Sequence, residues 1–182
     1  MIPNGIAEKE VGAAGSADLG TILTFDDASA CIAGRGLKEV VAQLARAGEA
    51  GESAQDEPIR VVGVEKPLMP HVTRVGSAQG RVSIAQIDIE GDWEGLRVKS
   101  LRSTAWGDGA VSSMQIRFSD PADEARSVLT QMGFEIGDVG QVKKTEAERA
   151  STGAIGVEAL PAGSALTCVR DARSASAAEK AA

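Results

Sequence analysis

The sequence predicts an α+β domain, an antiparallel meander sheet of about six to eight strands with two helices packed on one face. Short β-branched runs recur through the centre of the chain, separated by glycine-containing turns, which is typical of antiparallel sheets. Two other segments place apolar residues at the i, i+3, i+4, i+7 spacing of an amphipathic helix. No apolar run approaches the ~18 residues that span a bilayer, so we expect no membrane-embedded segment.

The first strand and the first helix are predicted near the start of the chain. Residues 1–20 are rich in glycine, alanine and glutamate without a helical or strand period, and we expect a flexible tail. Residues 21–25 are a β-branched run that predicts a strand. Four apolar residues at helical spacing, followed by Gly48, then predict a helix. They are Leu37, Val40, Val41 and Leu44.

The centre of the chain predicts a series of strands joined by short turns. The strands cover residues 59–64, 71–75, 82–89, 95–102 and 113–118. Glu90-Gly91-Asp92 and Gly107-Asp108-Gly109 predict hairpin turns between them. Later in the chain, residues 154–160 and 164–170 predict a final hairpin. This connectivity favours an antiparallel sheet over the crossovers of a nucleotide-binding fold.

The second helix has the clearest end signals. Asp120 fits an N-cap, and Pro121 fits the first helical position, where a missing N–H costs nothing. The apolar stripe consists of Ala125, Val128, Leu129 and Met132. Gly133 fits the position after the helix, where a left-handed backbone is common. Residues 171–182 are small and polar and predict a second flexible tail.

The two helices share a local template. Each follows a run that ends in Phe-x-Asp, at Phe25-Asp26-Asp27 and at Phe118-Ser119-Asp120. Between the two predicted tails we expect a single domain that covers residues 21–170. The shared template suggests that 21–112 and 113–170 are half-repeats of a strand–helix–strands unit. Because four apolar positions match many helices, chance similarity stays open as the alternative.

The two cysteines, Cys31 and Cys168, leave the redox state open. They are 137 positions apart and either pair or remain two buried thiols. The N-terminus shows no basic region followed by an apolar run, so no signal peptide is visible and we expect a cytoplasmic protein. A removed leader together with a Cys31–Cys168 bridge would instead indicate a periplasmic or secreted protein.

Composition argues against several function classes. Nineteen basic and 26 acidic residues give a net charge of −7, so we expect no nucleic-acid binding. His71 is the one histidine and there is no tyrosine, so we assign no catalytic residue, no metal ligand and no cofactor. We therefore expect a binding protein rather than an enzyme. If the chain is an enzyme, His71 is its one candidate base at neutral pH.

The central strands hold the candidate partner-binding residues. Residues 58–118 carry eight basic and six acidic side chains within an acidic protein. Alternation sends Arg97, Lys99 and Arg117 to one face of the sheet, with Arg102 near its edge. Trp93 and Trp106 flank the same strand in turn contexts, and tryptophan beside arginine is the composition of an interface hot spot. The alternatives are an ordinary solvated sheet face and tryptophans that serve the core.

Together these observations favour a non-enzymatic protein-binding module, such as an inhibitor, an adaptor or an immunity-type protein. The basic side chains would complement an acidic protein partner, and one of the tryptophans would anchor it. The alternative is a small enzyme or small-ligand-binding protein with a pocket between the sheet and the helices. Self-association through the edge or the face of the sheet is a third hypothesis.

Overall fold

The computed structural model describes residues 17–77, 80–137 and 155–171. In chain order the elements are β1 (Ala17–Asp18), β2 (Phe25–Asp27), β3 (Ile32–Ala33), α1 (Arg35–Ala50), β4 (His71–Ser77), β5 (Gly80–Trp93), β6 (Leu96–Trp106), β7 (Val111–Phe118), α2 (Ala122–Gln131), β8 (Ile155–Leu160) and β9 (Gly163–Asp171). One turn of 3-10 helix, Gly51–Ala54, directly follows α1.

In the part of the chain that the structure describes, seven strands form the main sheet. Their order is β1-β5-β6-β7-β9-β8, and β4 lies beside β1 along the same side of β5. Every pair is antiparallel except β1 with β5, and β2 pairs separately with β3. The predicted α+β class with an antiparallel sheet is confirmed. The meander runs from β4 to β7, after which α2 intervenes and β9, not β8, lies next to β7.

Both helices pack on one face of the sheet, as predicted. α1 contacts β5 and β6, and α2 contacts β8 and β9. Near the end of α1, a Cβ added to Gly48 would lie 3.6 Å from Ser83 Cβ and 3.8 Å from Ala85 Cβ. These are ordinary van der Waals distances, so the end of α1 lies within contact range of β5 at this point.

The core lies between the helices and this face, which we call the helix face. Leu37 and Leu44 of α1 and Leu129 of α2 are fully buried there. Four of the five aromatic side chains of the chain form one cluster in this core. They are Phe25, Trp93, Phe118 and Phe134.

The β5–β6 hairpin turns later than the sequence predicts. The predicted turn Glu90-Gly91-Asp92 is instead a register irregularity inside β5. The chain turns at Glu94 and Gly95, whose φ angles of 50° and 87° are both positive, the backbone of a tight two-residue hairpin turn. Trp93 is therefore the last residue of a strand, and its side chain points into the core.

Two predicted strands are largely absent. Residues 21–25 contribute only Phe25 to a strand, because Leu19, Ile22 and Leu23 form a turn that buries all three side chains. Residues 59–64 contribute one isolated bridge, between Ile59 and Leu68. The Arg60 backbone instead bonds to the Gln43 side chain of α1, at 3.1 Å for its N–H and 3.0 Å for its carbonyl. The side-chain amide of Gln43 thus makes the two hydrogen bonds that a neighbouring strand would make to Arg60.

The predicted N-cap of α2 is also wrong. Asp120 does not cap the helix, because its Oδ2 accepts a hydrogen bond from the backbone N–H of Arg97 at 2.6 Å. The carboxylate therefore links β6 to the segment between β7 and α2. Pro121 occupies the capping position without a side-chain bond. The other end is as predicted: Gly133 has a φ of 97°, and its N–H and that of Phe134 bond back to Thr130 and Leu129.

The folded part of the chain begins earlier than the predicted domain boundary at residue 21. Within the predicted tail 1–20, Leu19 is fully buried and its N–H donates to the Asp92 carbonyl at 2.9 Å. Residues 1–16 and 172–182 of the two predicted tails lie outside the described residues. The half-repeats 21–112 and 113–170 are not confirmed, since α1 follows the separate β2–β3 hairpin whereas α2 follows β7 directly.

Candidate functional site

The face of the sheet opposite the helices, which we call the open face, is the candidate site. Its residues follow from the strand register and from which side chains contact α1. Ser83 lies beneath α1, and its neighbours Val82 and Ile84 therefore point to the other side. The same alternation places Trp106 on the open face, because Trp106 pairs with Val82.

One end of the open face carries a continuous row of apolar side chains. Val75 of β4 pairs with Val82 of β5, Val82 with Trp106 of β6, and Trp106 with Val111 of β7. We call these four residues the apolar row. Val75 is 49% exposed at the sheet edge, and the other three are half-buried. The apolar row is therefore a contiguous set of apolar side chains across four adjacent strands, with its most exposed member at the edge.

The middle of the open face is polar and internally hydrogen-bonded. The Arg102 guanidinium donates from Nε and Nη2 to Gln86 Oε1 at 3.1 and 2.9 Å. On the neighbouring strands, Gln115 Nε2 donates to Thr167 Oγ1 at 3.0 Å and to Glu158 Oε2 at 3.2 Å. Gln115 and Thr167 are buried, so the half-buried Gln86, Arg102 and Glu158 are the members of this network that a partner would reach.

The basic residues predicted from the sequence spread along the far half of this face. Arg117 pairs with Ser100 and lies diagonally next to Arg102, and both side chains are half-buried. Arg97 and Lys99 are exposed near the β5–β6 turn. Lys99 Nζ is 3.0 Å from Glu90 Oε1, which neutralises part of its charge. Arg102 and Arg117 therefore form the compact part of the predicted basic set.

The two tryptophans have different environments. Trp93 is 2% exposed and its ring stacks on Phe118 with centroids 6.2 Å apart. A side chain in this position serves the core, so Trp93 does not belong to the partner-facing set. Trp106 is the one aromatic residue outside the aromatic cluster, and it lies half-buried in the apolar row.

His71, the one candidate base, lies at the rim of the open face. Its Nε2 is 3.7 Å from Asp88 Oδ2, and the two side chains are 71% and 66% exposed. Water screens a pair this exposed. Among the described residues, no group of three or more His, Cys, Asp or Glu side chains is placed to hold a metal ion.

The carboxyl group of Asp27 has a lowered pKa, for a structural reason. The Ser29 hydroxyl donates to Asp27 Oδ1 at 2.7 Å and the Ala30 N–H donates to the same oxygen at 3.2 Å. These bonds lower the pKa of Asp27 below its ordinary value, because they favour the charged form. They shape the turn that leads to Cys31, whose φ is 52°.

Cys31 and Cys168 form a disulfide with their Cα atoms 6.1 Å apart. The bond links the segment between β2 and β3 to β9 of the main sheet. Both residues are buried. Of the two alternatives that the sequence leaves open, the structure has the bridge.

A groove of about 250 Å³ lies on the helix face beside this disulfide. Small side chains on β6 and β7, including Ser103, Ala105 and Ser112, leave the space under α1. Lys38 and Arg170 are among the charged lining residues. The volume is below the ~300 Å³ at which small-molecule pockets usually begin, and His71 does not line it.

The sequence analysis did not identify three residues of the apolar row, Val75, Val82 and Val111. Each belongs to a predicted strand or its flank, but their alignment depends on the register between strands. A signal was present, because alternation within residues 71–77 separates Val75 from Val72, and alternation within residues 80–86 places Val82 and Ile84 on one face. It does not show which residues of different strands are neighbours.

Comparison with protein-family models, curated proteins and solved structures finds no match to this chain. Among the described residues, neither helix has the length and apolar character needed to cross a bilayer.

Proposed function

We propose that this chain is a non-enzymatic binding module that docks a protein partner on the open face of its sheet. The observation that carries this proposal is the apolar row, which ends at the half-exposed Val75 and contains Trp106. Covering these side chains would remove apolar surface from water, which is favourable at roughly 25 cal/mol per Å².

The chemistry of the partner follows from what surrounds the apolar row. Arg102 and Arg117 lie further along the same face, and Arg97 and Lys99 lie beyond them. A partner surface with an apolar centre and acidic residues on one side fits this arrangement. The charges would steer the encounter and set its orientation, while Trp106 would supply the anchor.

The compartment we propose is one that lacks a reducing thiol pool, such as a periplasm or the cell exterior. The Cys31–Cys168 disulfide supports this location, since reduced cytosol rarely sustains structural disulfides. The proposal replaces the cytoplasmic location expected from the N-terminal sequence.

The test is capture of partners by the tagged protein under non-reducing conditions, followed by affinity measurement with each purified partner. We expect Trp106→Ala to weaken binding by about tenfold or more, as truncation of an anchor residue does. We also expect two charge-reversal variants to weaken the binding of an acidic partner. They are Arg117→Glu, and Arg97→Glu combined with Lys99→Glu. Val62→Ala is the matched control, because Val62 is 81% exposed and lies outside the sheet.

A partner whose affinity is unchanged by Trp106→Ala and by both charge reversals would show that binding uses another surface. Circular dichroism of each variant must match the wild type, so that loss of binding is not loss of folding.

The alternative function, binding of a small ligand, rests on the groove under α1. Its lining combines small serine and alanine side chains with Lys38, Arg170 and Glu49, and this excess of cationic groups suits a small anionic ligand. Thermal unfolding with and without such ligands tests it. A ligand that raises the melting temperature of the wild type but not of Ala105→Leu, which fills the groove, would favour this alternative.

A further inference from the structure

Among the described residues, few contacts cover the outer edge of β4 in the main sheet. Ser77, the last residue of β4, pairs with Gly80, the first residue of β5. In an antiparallel pair, every second residue directs its backbone N–H and C=O groups to the neighbouring strand, and here these residues are His71, Thr73, Val75 and Ser77. Val72, Arg74 and Gly76 therefore direct their backbone N–H and C=O groups outward. In the part of the chain that the structure describes, one of these groups has a partner. It is the Val72 carbonyl, which accepts Gln55 Nε2 at 3.4 Å.

The other edge, β8, is protected. Its outward carbonyl at Ile155 accepts the Gly137 N–H at 3.1 Å. The next outward carbonyl, at Val157, accepts Arg126 Nη2 at 3.5 Å. Arg126 of α2 and Gly137 after it thus contact the outer edge of β8. Among the described residues, no comparable contact reaches the outward backbone groups of Arg74 or Gly76.

β4 also lacks the features that discourage edge pairing. It contains no lysine and no proline, and its seven residues pair with β5 without a bulge. Its one arginine does not guard the edge, because Arg74 Nε donates to the Gly48 carbonyl near the end of α1 at 3.2 Å. A regular strand with free backbone groups is a ready template for another strand.

We propose that β4 pairs antiparallel with β4 of a second copy of this chain, with a two-fold axis between the two Val75 residues. In this register Arg74 of each copy exchanges backbone hydrogen bonds with Gly76 of the other. The two Val75 side chains then face each other as a non-hydrogen-bonded pair, the type in which side chains are closest. The apolar rows of the two copies join into one row across eight strands of a continuous sheet.

The side chains favour this register over its neighbours. A register centred on Arg74 would place two arginines directly opposite each other, and like charges there are destabilising. A register centred on Thr73 would place His71 opposite Val75. The Val75-centred register instead opposes each Arg74 to a glycine, and the space around Gly76 is open, with no atom within 4 Å of an added Cβ. An isologous pairing of this kind closes after two copies.

The dimer leaves the open face uncovered, so it does not depend on the proposed partner binding. Light scattering coupled to size-exclusion chromatography is expected to give twice the 18.7 kDa mass of one chain. We expect Gly76→Pro to give the single-chain mass, because it removes an outward N–H without removing a bond to β5. Ala159→Pro is the matched control on β8, where the N–H also points outward, and should leave the dimer intact.

Cross-linking tests the register itself. Both native cysteines are bonded to each other, so the thiol introduced by Val75→Cys is the one free thiol of that variant. With oxidised glutathione as the oxidant, we expect two copies to join through a disulfide between their introduced thiols, while Val62→Cys, at an exposed site outside the sheet, forms no such cross-link. A wild-type mass of one chain, or a dimer in which Val75→Cys cross-links no faster than Val62→Cys, would overturn the proposal.

Discussion

The aromatic residues divide between two environments on opposite sides of one sheet. Three phenylalanines and Trp93 pack together on the helix face, with Phe25 and Phe134 in an edge-to-face contact at 4.8 Å. Trp106 lies on the other side in the apolar row. Because much of the apolar content is alanine, which buries little area, each aromatic side chain contributes a large share of the buried surface.

This division predicts different costs for the two tryptophans. Trp93→Ala should lower the free energy of unfolding by about 3–5 kcal/mol, since it empties a large volume in a packed core. Trp106→Ala should cost less than half as much, because its side chain is only half-buried. Urea unfolding followed by circular dichroism measures both. Equal losses would contradict the assignment of Trp93 to the core and Trp106 to the surface.

At this scale, alternation predicts the side-chain orientations at the start of β6, even beside the register irregularity between Val98 and Ser100. Alternation placed Leu96 and Val98 inward and Arg97 and Lys99 outward, and the burial of these residues confirms it. The turn context predicted for Trp93 is wrong, because the turn predicted at Glu90-Gly91-Asp92 lies instead at Glu94 and Gly95. Glu94 has a positive φ, which is uncommon for a non-glycine residue.

Among the elements, α2 shows which helix signals are reliable. Its apolar stripe and its C-terminal glycine correctly located the helix, because both follow from local backbone geometry. Its N-cap was mispredicted, because Asp120 bonds to Arg97, which is 23 positions away in the sequence. A long-range contact that competes for a capping side chain leaves no trace in the local sequence.

The stripe of α2 makes a direct prediction. Leu129 is fully buried against the sheet, so Leu129→Ala should lower the free energy of unfolding by about 2–5 kcal/mol. Val128→Ala, one position earlier and only partly buried, is the matched control and should cost less. Denaturant titration gives both values, and a loss below about 0.5 kcal/mol for Leu129→Ala would contradict the packing of this helix.

The apolar row shows what sequence patterns omit at the level of strands. Within each strand, alternation shows which residues share a face, but the neighbours across strands depend on the turn at Glu94-Gly95 and on the bulges in β5 and β6. A shift of one residue would reverse the face of every side chain in a strand. The candidate site therefore emerges only when the register is known.

For the whole molecule, the disulfide links the two ends of the described chain. Cys31 follows β2 near the start, and Cys168 lies in β9 at the end. Spacing alone did not decide between a bridge and two thiols, since any two buried cysteines at such a separation are compatible with either. The fold brings the two Cα atoms to 6.1 Å, a distance that a disulfide spans.

Removing the bridge should therefore destabilise the protein strongly. In the chain-entropy account, opening a loop of this length costs about 4–5 kcal/mol. Cys31→Ser combined with Cys168→Ser should show this loss in urea unfolding, compared with the oxidised wild type. Thiol titration of denatured wild-type protein from its native source is the companion measurement. Two free thiols there would contradict the proposed non-reducing compartment.

The central claim is that the open face, and not the helix face, receives the partner. A photo-reactive amino acid introduced in place of Trp106 tests it most directly, with matched replacements of Val62 outside the sheet and of Lys38 at the groove under α1. Illumination in the presence of the partner is predicted to give a covalent adduct from position 106 and none from positions 62 or 38. An adduct from position 38 with none from position 106 would contradict the account and move the site to the groove.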